Sequence, residues 1–314
     1  MRASGWIAGM ALTAVAVAAN VSFSAAPAQV GSGGWKMIAP ANVLNSGTLK
    51  DPQLAEASGA ALSRANPDLI WTIGDSGNPP DLFAIDATGS LRAVFSVAGA
   101  TNVDWEAVAV GPCGQQTCVY IADTGDNSEH RSDVVIYRVP EPIVAGDFRT
   151  ATQTLAGVER IKLVYPDRPH DVEAMAVTGS GEILLVTKGR SAGVLVFSIP
   201  PAAWSTGQTI TPLRRDSLPI TAVGGMGREV TGMALSPDGH RIVVRTYRDL
   251  YPFALRPDGT LVPLGAPTAC DILGLEPQGE GITFLNARRL LLTSERGLFK
   301  VGTVITLECD PLNQ

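Results

Sequence analysis

Carboxylate side chains recur where short apolar runs of the sequence begin or end. Glu106, Glu173 and Glu280 each stand directly before such a run, whereas Asp123 and Glu295 each close one. Carboxylate oxygens are hard ligands that suit Ca²⁺, which accepts about six to eight oxygens in a flexible geometry. Acids brought close together raise one another's pKa unless a cation neutralises them. The chemistry predicted from these residues is therefore metal binding.

Two overlapping sets of candidate site residues follow. The acids that could bind a metal are Asp104, Glu106, Asp123, Asp126, Glu173, Glu280 and Glu295. The candidates for catalysis combine acids with basic groups and are Glu106, Glu173, His170, Lys188 and Arg245. Lys188 and Arg245 would position an anionic substrate, and His170 would be either a general base or an ordinary surface residue. The alternative is a salt-bridged collar, in which Lys188 and Arg245 pair with the acids and nothing is bound.

A hairpin that recurs along the chain would bring these residues together. The residues at the head of its first strand are Ser58, Glu106, Glu173, Thr231 and Glu280. The residues at the end of its second strand are Asp75, Asp123, Lys188, Tyr247 and Glu295, always 15 to 17 positions after the head. The start of one antiparallel strand lies beside the end of the next, so head and end residues share one edge of a sheet. A constant hairpin with variable connections predicts an all-β fold, a single β-propeller.

The five hairpins predict five blades, and six blades remain open because the longer connections contain extra strands such as Arg160–Val164. We expect the N-terminal strand, near Lys36–Ala39, to close the ring by joining the C-terminal blade, which contains Glu280 and Glu295. Third strands of the blades are predicted at Asp81–Ile85, Val134–Val139, Val194–Ile199 and Leu298–Val301. Trp105 and Tyr120 are expected in the blade core rather than on a binding surface.

The N-terminus has the pattern of a secretory signal peptide. Arg2 precedes an apolar stretch from Trp6 to Ala19, and Ala26-Pro27-Ala28 provides a small-residue cleavage site. A membrane anchor would need about 20 unbroken apolar residues, and Asn20 interrupts the stretch. We therefore expect residues 1–28 to be a signal peptide and residues 29–314 to form the propeller domain, with no membrane span after cleavage. The predicted location is the periplasm or the exterior.

The net charge of the protein limits the classes of molecule that it would bind. The net charge of −6 argues against non-specific binding of nucleic acid or anionic membranes. Only 17% of the residues are charged and 45% are hydrophobic, with 33 glycines and 22 prolines, a composition typical of a turn-rich β domain. A channel mouth that mixes acids with Lys188 and Arg245 favours an anionic small molecule or a glycan as partner, and we expect a monomer.

Four cysteines predict two disulfide bonds in an oxidising compartment. Cys113 and Cys118 flank the turn of one hairpin, which leaves Cys270 to pair with Cys309. A zinc site is the alternative, but it requires C-x₂₋₄-C spacing that is repeated or joined to a histidine pair. Cys113 and Cys118 are only at the limit of this spacing, and no histidine pair lies near them.

Several short motifs resemble those of exported bacterial β-propeller proteins. They are Asp104-Trp105-Glu106, Tyr120-Ile121-Ala122-Asp123-Thr124-Gly125-Asp126-Asn127, Val186-Thr187-Lys188, Ser236-Pro237-Asp238-Gly239, Arg245-Thr246-Tyr247 and Gly279-Glu280-Gly281-Ile282. This resemblance covers nearly the whole predicted domain. More distantly, the repeat pattern with Glu280-Gly281-Ile282 and Ser294-Glu295 resembles phytase-like, esterase-like and gluconolactonase/paraoxonase propellers. The chain lacks the closely spaced asparagine ligands typical of the lactonases.

In those enzyme groups, acidic and asparagine residues of the rim bind Ca²⁺, which activates water or polarises an ester or phosphoester. The resemblance therefore implies Glu106, Asp123, Glu173, Glu280 and Glu295 as ligands. It also implies Lys188 and Arg245 as phosphate contacts. The expected function is that of an exported Ca²⁺-dependent hydrolase of esters or phosphoesters. The alternative is a non-catalytic propeller whose channel mouth binds a glycan, a peptide or a component of the cell envelope.

Overall fold

The computed structural model of the protein describes residues 37–146, 148–205, 207–222, 227–264, 268–298 and 300–309. The predicted signal peptide lies outside these residues. The described chain is almost entirely β-structure, with two short 3-10 helices at Pro52–Leu54 and Pro201–Ser205. Within it, no helix has the length and apolar character needed to span a membrane.

The strands follow one another along the described chain. They are β1 (Met37–Pro40), β2 (Asn42–Leu49), β3 (Ala57–Leu62), β4 (Leu69–Gly74), β5 (Asp81–Asp86), β6 (Leu91–Val97), β7 (Trp105–Cys113), β8 (Gln116–Asp123), β9 (Val134–Pro140), β10 (Phe148–Leu155), β11 (Glu159–Leu163), β12 (Val172–Val177), β13 (Ile183–Thr187), β14 (Val194–Ile199), β15 (Leu213–Leu218), β16 (Val230–Leu235), β17 (Arg241–Thr246), β18 (Asp249–Leu255), β19 (Leu261–Pro263), β20 (Thr268–Asp271), β21 (Gln278–Phe284), β22 (Arg289–Glu295) and β23 (Gly302–Glu308).

These strands form five sheets, which are the five blades of a β-propeller. Blade 1 contains β3 to β6 with β10, blade 2 contains β7 to β9 with β11, and blade 3 contains β12 to β15. Blade 4 contains β16 to β20 with β1, and blade 5 contains β21 to β23 with β2. The inner strands β3, β7, β12, β16 and β21 each contact the next one around the ring, including β21 with β3. The prediction of a five-bladed propeller is confirmed, and the extra strand near Arg160 is β11, the outer strand of blade 2.

The N-terminal strand closes the ring, as predicted, but it is a different segment. Strand β2 pairs antiparallel with β23 of blade 5, from Asn42 opposite Glu308 to Leu49 opposite Gly302. The expected segment near Ala39 is instead part of β1, which pairs parallel with β20 of blade 4. Strand β2 is exposed along most of its length, so it has no apolar run that would mark it in the sequence.

One predicted third strand was also wrong. Leu298 and Val301 lie in the turn after β22 and are 96% and 51% exposed. The third strand of blade 5 is β23, in which Val304, Ile305 and Leu307 are buried. The apolar residues of the turn are therefore solvent-exposed, and the strand begins after them.

The core of the protein consists of the interfaces between neighbouring blades. Five clusters of buried apolar side chains are present, and each joins two adjacent blades around the ring. Trp71 and Trp105, both fully buried, lie in the cluster between blades 1 and 2. Tyr120 lies in the cluster between blades 2 and 3, so the prediction that Trp105 and Tyr120 belong to the core is confirmed.

Both predicted disulfide bonds are present. Cys113 is bonded to Cys118 across the β7–β8 turn, and Cys270 of β20 is bonded to Cys309 after β23. The second bond links blade 4 covalently to the end of blade 5. No free cysteine remains for the alternative zinc site.

Candidate metal centre

β-bulges place the head residues of four inner strands. In each of blades 2 to 5, the pairing with the second strand skips one residue of the inner strand. The skipped residues are Glu106, Glu173, Thr231 and Glu280. A bulged residue has no partner in the ladder, and bulges re-aim side chains beside functional sites. Three of these four bulges direct a glutamate to the head of the channel.

Carboxylates distant in the chain meet at this point. One ligand atom from each of Asp75, Asp104 and Glu106 lies within 4.8 Å of the other two. Glu106, Asp171 and Glu173 satisfy the same condition, so Glu106 belongs to both triplets. We call these the first triplet and the second triplet. The sequence-based expectation that acids of different blades share one opening agrees with this geometry.

Lys188 lies against the second triplet. Its Nζ atom contacts Glu173 Oε1 and is 3.7 Å from Asp171 Oδ2. Its backbone N–H donates a hydrogen bond to the Asp171 carbonyl at 2.9 Å, which fixes the residue at the end of β13. Although burial opposes the charge, the carboxylates of Glu173 and Asp171 raise the pKa of Lys188. The ammonium group is therefore charged and neutralises part of this triplet.

Glu280 and Glu295 extend the acidic cluster into blade 5. Glu280 Oε1 accepts hydrogen bonds from the Tyr247 hydroxyl and from Gln278 Nε2, both at 3.2 Å. Gln278 Nε2 also donates to Glu295 Oε2 at 2.8 Å, so this amide bridges the two glutamates. Glu295 in turn lies beside Asp75, which connects blade 5 to the first triplet.

Burial and mutual repulsion make the shared glutamates difficult to ionise. Burial, followed by the charges of Glu173 and Asp75, raises the pKa of Glu106 well above its ordinary value. Burial also raises the pKa of Glu173, even though Lys188 opposes the shift. A bound cation would favour the ionised form of both groups.

Three further acids have pKa values near neutrality. Burial and the charge of Asp75 raise the pKa of Asp104 to about 6. Burial raises the pKa of Glu280 to about 7, against the opposing charge of Arg245. Burial and the charge of Glu280 raise the pKa of Glu295 to about 8. These carboxyl groups can exchange protons at physiological pH, as general acids and bases do.

Among the described residues of the acidic cluster, two carboxylate oxygens are buried without a hydrogen-bond partner. They are Asp171 Oδ2 and Glu280 Oε2. Buried polar atoms are almost always satisfied in folded proteins, so such atoms require an explanation. A bound cation would explain them.

Asp123 and Asp126 hold other members of the cluster in place. Asp123 Oδ1 accepts a hydrogen bond from the backbone N–H of Asp104 at 3.0 Å and forms an ion pair with Arg131 at 3.0 Å. The backbone N–H of Asp126 donates to Asp171 Oδ1 at 2.9 Å, and Asp126 Oδ2 accepts from the backbone N–H of Arg131 at 2.7 Å. Neither carboxylate belongs to the two triplets. Both residues position acids that do.

Arg245 lies beneath the cluster, between blades 4 and 5. It is fully buried, and its Nη2 atom donates to Glu276 Oε2 at 2.7 Å. Its Nη1 atom donates to the Gly281 carbonyl at 2.6 Å and reaches the Thr293 carbonyl at 3.4 Å. The guanidinium group is therefore engaged by blade 5 rather than directed at the channel opening.

The ring of His170 packs between aromatic side chains. It stacks against Tyr165 and Phe197, with 5.2 Å between ring centroids in each case, and its Nε2 atom lies 2.9 Å from Asp167 Oδ1. Its neighbour Asp171 reaches the second triplet, whereas His170 belongs to the interface of blades 2 and 3. The structure does not bring this imidazole together with the carboxylates.

Sequence reasoning omitted Asp75 and Asp171 from the metal candidates. The missed signal is an acidic or amide residue two positions before each head residue. These residues are Glu56, Asp104, Asp171, Glu229 and Gln278. Because side chains alternate along an extended chain, a residue two positions away projects in a similar direction. The repeated pattern of two carboxylates in Asp104-Trp105-Glu106 and Asp171-Val172-Glu173 would have identified Asp171, whereas Asp75 is an end residue of the hairpin repeat.

The channel is narrow directly below the acids. Glu106, Glu173 and Glu280 border a small space of about 10 Å³. Val108, Met175, Met233 and Ile282 line this space and also line a separate cavity of about 390 Å³ at the opposite end of the channel. That cavity is mainly apolar. These apolar side chains therefore lie between the acidic cluster and the larger cavity.

Comparisons with known proteins support the fold alone. The chain matches no protein-family model and no curated protein. Among solved structures, it is similar to a PQQ-bound aldose sugar dehydrogenase from Streptomyces coelicolor, with a TM-score of 0.50 and 12% identity over 85% of this chain and 97% of that one.

Two further solved structures are less similar. A gluconolactonase from Xanthomonas campestris gives a TM-score of 0.44 and 17% identity, over 85% of this chain and 95% of its own. Regucalcin from Agrobacterium tumefaciens, a calcium-binding protein, gives a TM-score of 0.44 and 12% identity, over 87% and 96%. The similarity to the sugar dehydrogenase is consistent with the β-propeller fold, and none of the three similarities bears on the site.

Proposed function

We propose that the head of the channel binds Ca²⁺ through Asp75, Asp104 and Glu106, and that the protein is an exported hydrolase of an anionic ester or phosphoester. The observation that supports this proposal is the carboxylate of Glu106. It belongs to both acidic triplets, its residue is only 6% exposed, and burial together with the charges of Glu173 and Asp75 raises its pKa. A bound cation would offset the cost of ionising a carboxyl group in these surroundings.

The residues of the first triplet suit Ca²⁺ in type and number. All three ligands are hard carboxylate oxygens, and no histidine or thiol lies among them. Three carboxylates leave several of the roughly six to eight oxygen positions of Ca²⁺ for water or substrate. Gly125 provides the necessary space, because a Cβ atom there would lie 2.5 Å from Asp104 Oδ2.

The roles of the protein's own groups follow from their positions. When bound, Ca²⁺ would supply Lewis-acid polarisation of an ester or phosphoester oxygen. Glu280, with a pKa near 7, would accept a proton from the attacking water and return it to the leaving group. The Tyr247 hydroxyl orients Glu280 by its hydrogen bond to Oε1. Lys188 supplies a fixed positive charge at the mouth, whereas Arg245 positions blade 5 and is not assigned a substrate contact.

One observation favours a second candidate function, that of a non-catalytic binding protein. The space bordered by Glu106, Glu173 and Glu280 is about 10 Å³, which is too small for an organic substrate. An organic ligand would therefore have to lie outside this space, at the heads of the inner strands. A protruding group of a glycan or of a cell-envelope partner would fit this geometry without being cleaved.

Export is proposed from two features of the chain. The first 28 residues have the signal-peptide pattern, and all four cysteines form disulfide bonds, which persist in oxidising compartments. Expression with and without residues 1–28, followed by fractionation and N-terminal sequencing, tests this point. Recovery of an unprocessed protein in the cytoplasm would contradict it.

The proposed activity is tested by two measurements on the purified protein. The first compares the melting temperature in Ca²⁺ and in chelator, where saturating Ca²⁺ is expected to raise it by about 5 °C or more. The second measures turnover of p-nitrophenyl phosphate, p-nitrophenyl acetate and a lactone. A shift without turnover would support the binding protein instead. The absence of both would contradict the calcium site.

A further inference from the structure

We propose that the ammonium group of Lys188 takes the place of a second divalent cation in the triplet of Glu106, Asp171 and Glu173. The inference rests on the proposed function in one respect, because with a metal in the first triplet it makes the centre mononuclear. Removing Lys188 should therefore create a second metal site that shares Glu106 with the first.

The two acidic triplets adjoin each other through a shared residue. Both triplets have ligand atoms within 4.8 Å of one another, and Glu106 is common to them. A carboxylate shared in this way is suited to bridging two metal ions, as in two-metal sites with ions about 4 Å apart. Because each triplet contains three carboxylates, the second is as well supplied with ligands for a divalent cation as the first.

What separates the two triplets is Lys188. Its Nζ atom contacts Glu173 Oε1 and lies 3.7 Å from Asp171 Oδ2, and no basic side chain makes a corresponding ion pair with Asp75, Asp104 or Glu106 among the described residues. The second triplet therefore contains a cation supplied by the protein itself. A divalent ion entering it would have to displace a buried ammonium group.

Lys188 cannot move away easily. Its backbone N–H donates to the Asp171 carbonyl at 2.9 Å, and its own carbonyl accepts from the Val230 N–H at 3.1 Å. The residue is only 5% exposed and its ammonium group contacts Glu173 Oε1, so moving the side chain away would break a buried ion pair.

An unsatisfied atom shows that the second triplet retains coordinating capacity. Asp171 Oδ2 is buried without a hydrogen-bond partner, and Asp171 itself is only 2% exposed. The ammonium group at 3.7 Å is too distant for a hydrogen bond to this oxygen. The ammonium group of Lys188 contacts Glu173 and leaves Asp171 Oδ2 without a hydrogen bond. A multivalent ion with several ligand positions would use all three carboxylates.

The test is the number of Ca²⁺ ions bound per chain, measured by calorimetric titration and by elemental analysis after equilibrium dialysis. Lys188→Met keeps the length and apolar stem of the side chain and is expected to bind one more ion than the wild type. Lys162→Met is the matched control, because Lys162 is an exposed lysine paired with Asp133 and its loss should change nothing. Lys188→Met/Glu173→Gln should lose the gain, because one ligand of the second triplet is removed.

The two proposals fail in distinguishable ways. The wild-type count tests the calcium site, and the gain on replacing Lys188 tests the inference. An unchanged count in a folded Lys188→Met protein overturns the inference, as does a wild-type count of two. If Lys188→Met folds only when Ca²⁺ is added, a melting temperature that rises with Ca²⁺ far more steeply than in the wild type supports it. If Lys188→Met fails to fold both with and without Ca²⁺, while Lys188→Met/Glu173→Gln folds and binds Ca²⁺ as the wild type does, the inference is overturned.

Discussion

Gly125 lies against the carboxylate of Glu106, and a Cβ atom at this position would be 2.5 Å from Glu106 Oε1. The same Cβ would be 2.5 Å from Asp104 Oδ2, so the absence of a side chain leaves room for both acids to point at one site. A glycine that permits this approach connects the Asp123–Asn127 motif of the sequence to the metal centre, although Asp123 and Asp126 are not in the triplets.

Gly125→Ala is therefore expected to weaken Ca²⁺ binding by at least tenfold, because the methyl group displaces Asp104 and Glu106 from their shared position. Calorimetric titration measures the dissociation constant. Gly179→Ala is the control, since a Cβ there meets no atom within 4 Å. Equal affinity in the Gly125→Ala and wild-type proteins would show that the first triplet does not bind the ion.

Glu106→Gln should stabilise the metal-free protein and abolish its response to Ca²⁺. The substitution keeps the volume of the side chain and removes a buried carboxyl group that burial and its acidic neighbours make difficult to ionise. The expected gain in unfolding free energy is about 1 kcal/mol at pH 8, measured by urea denaturation in chelator. A loss of stability in chelator, as when a salt-bridge partner is removed, would support the collar interpretation instead.

The stability of the metal-free protein should decrease as the pH rises. Asp104, Glu280 and Glu295 have pKa values raised to about 6, 7 and 8 in the folded state, above the ordinary values of 3.8 and 4.5. The folded protein therefore binds more protons than the unfolded chain between about pH 4 and 8. These three carboxyl groups contribute fully to the free energy of unfolding below about pH 4, and the contribution is lost as the pH rises to about 8.

Calcium should reverse this dependence, because it binds the ionised carboxylates and its affinity rises over the same range. Melting temperatures measured from pH 4.5 to 8.5 in chelator and in Ca²⁺ provide the comparison. Parallel curves in the two conditions would contradict a calcium site built from these acids.

Arg245→Met should destabilise the protein by about 3 to 5 kcal/mol, because it leaves Glu276 buried without its partner. Arg245→Met/Glu276→Leu should recover most of this loss, as expected for a buried pair that joins two blades. Urea denaturation measures both. If the single variant keeps its stability but loses turnover of an anionic substrate, Arg245 contacts that substrate after all.

Glu280→Gln should lower turnover by about 10² or more while Ca²⁺ binding changes little, because Glu280 lies outside both triplets and carries the proposed acid–base role. Steady-state kinetics and calorimetric titration separate the two effects. Turnover equal to that of the wild type would assign the base to another group.

The sequence predicted the ring because the hairpin repeat places Glu106, Glu173 and Glu280 at the same edge of their respective blades, and this placement depends only on strand pairing. Contacts within that edge depend on side-chain geometry and were less predictable. Both ion pairs that the collar interpretation required are present, since Lys188 pairs with Glu173 and Arg245 pairs with Glu276 in the loop before blade 5. His170 and Asp171 are adjacent, yet only Asp171 reaches the cluster, since neighbouring side chains of an extended chain point in opposite directions.

The exposed outer strands were the least predictable. Strand β2 is polar and solvent-facing, so its role in closing the ring comes from backbone pairing, which leaves no apolar pattern. In contrast, the cysteine spacing was sufficient to predict both disulfide bonds, because one pair flanks a turn.

The apolar side chains of Val108, Met175, Met233 and Ile282 lie between the acidic cluster and the larger cavity, and the space of about 10 Å³ between them is too small for an organic molecule to pass. A product formed at the acids would therefore leave on the side from which the substrate entered. Until it left, it would occupy the position of the next substrate molecule. For a hydrolase built on this plan, competitive inhibition by the released anion is the natural outcome.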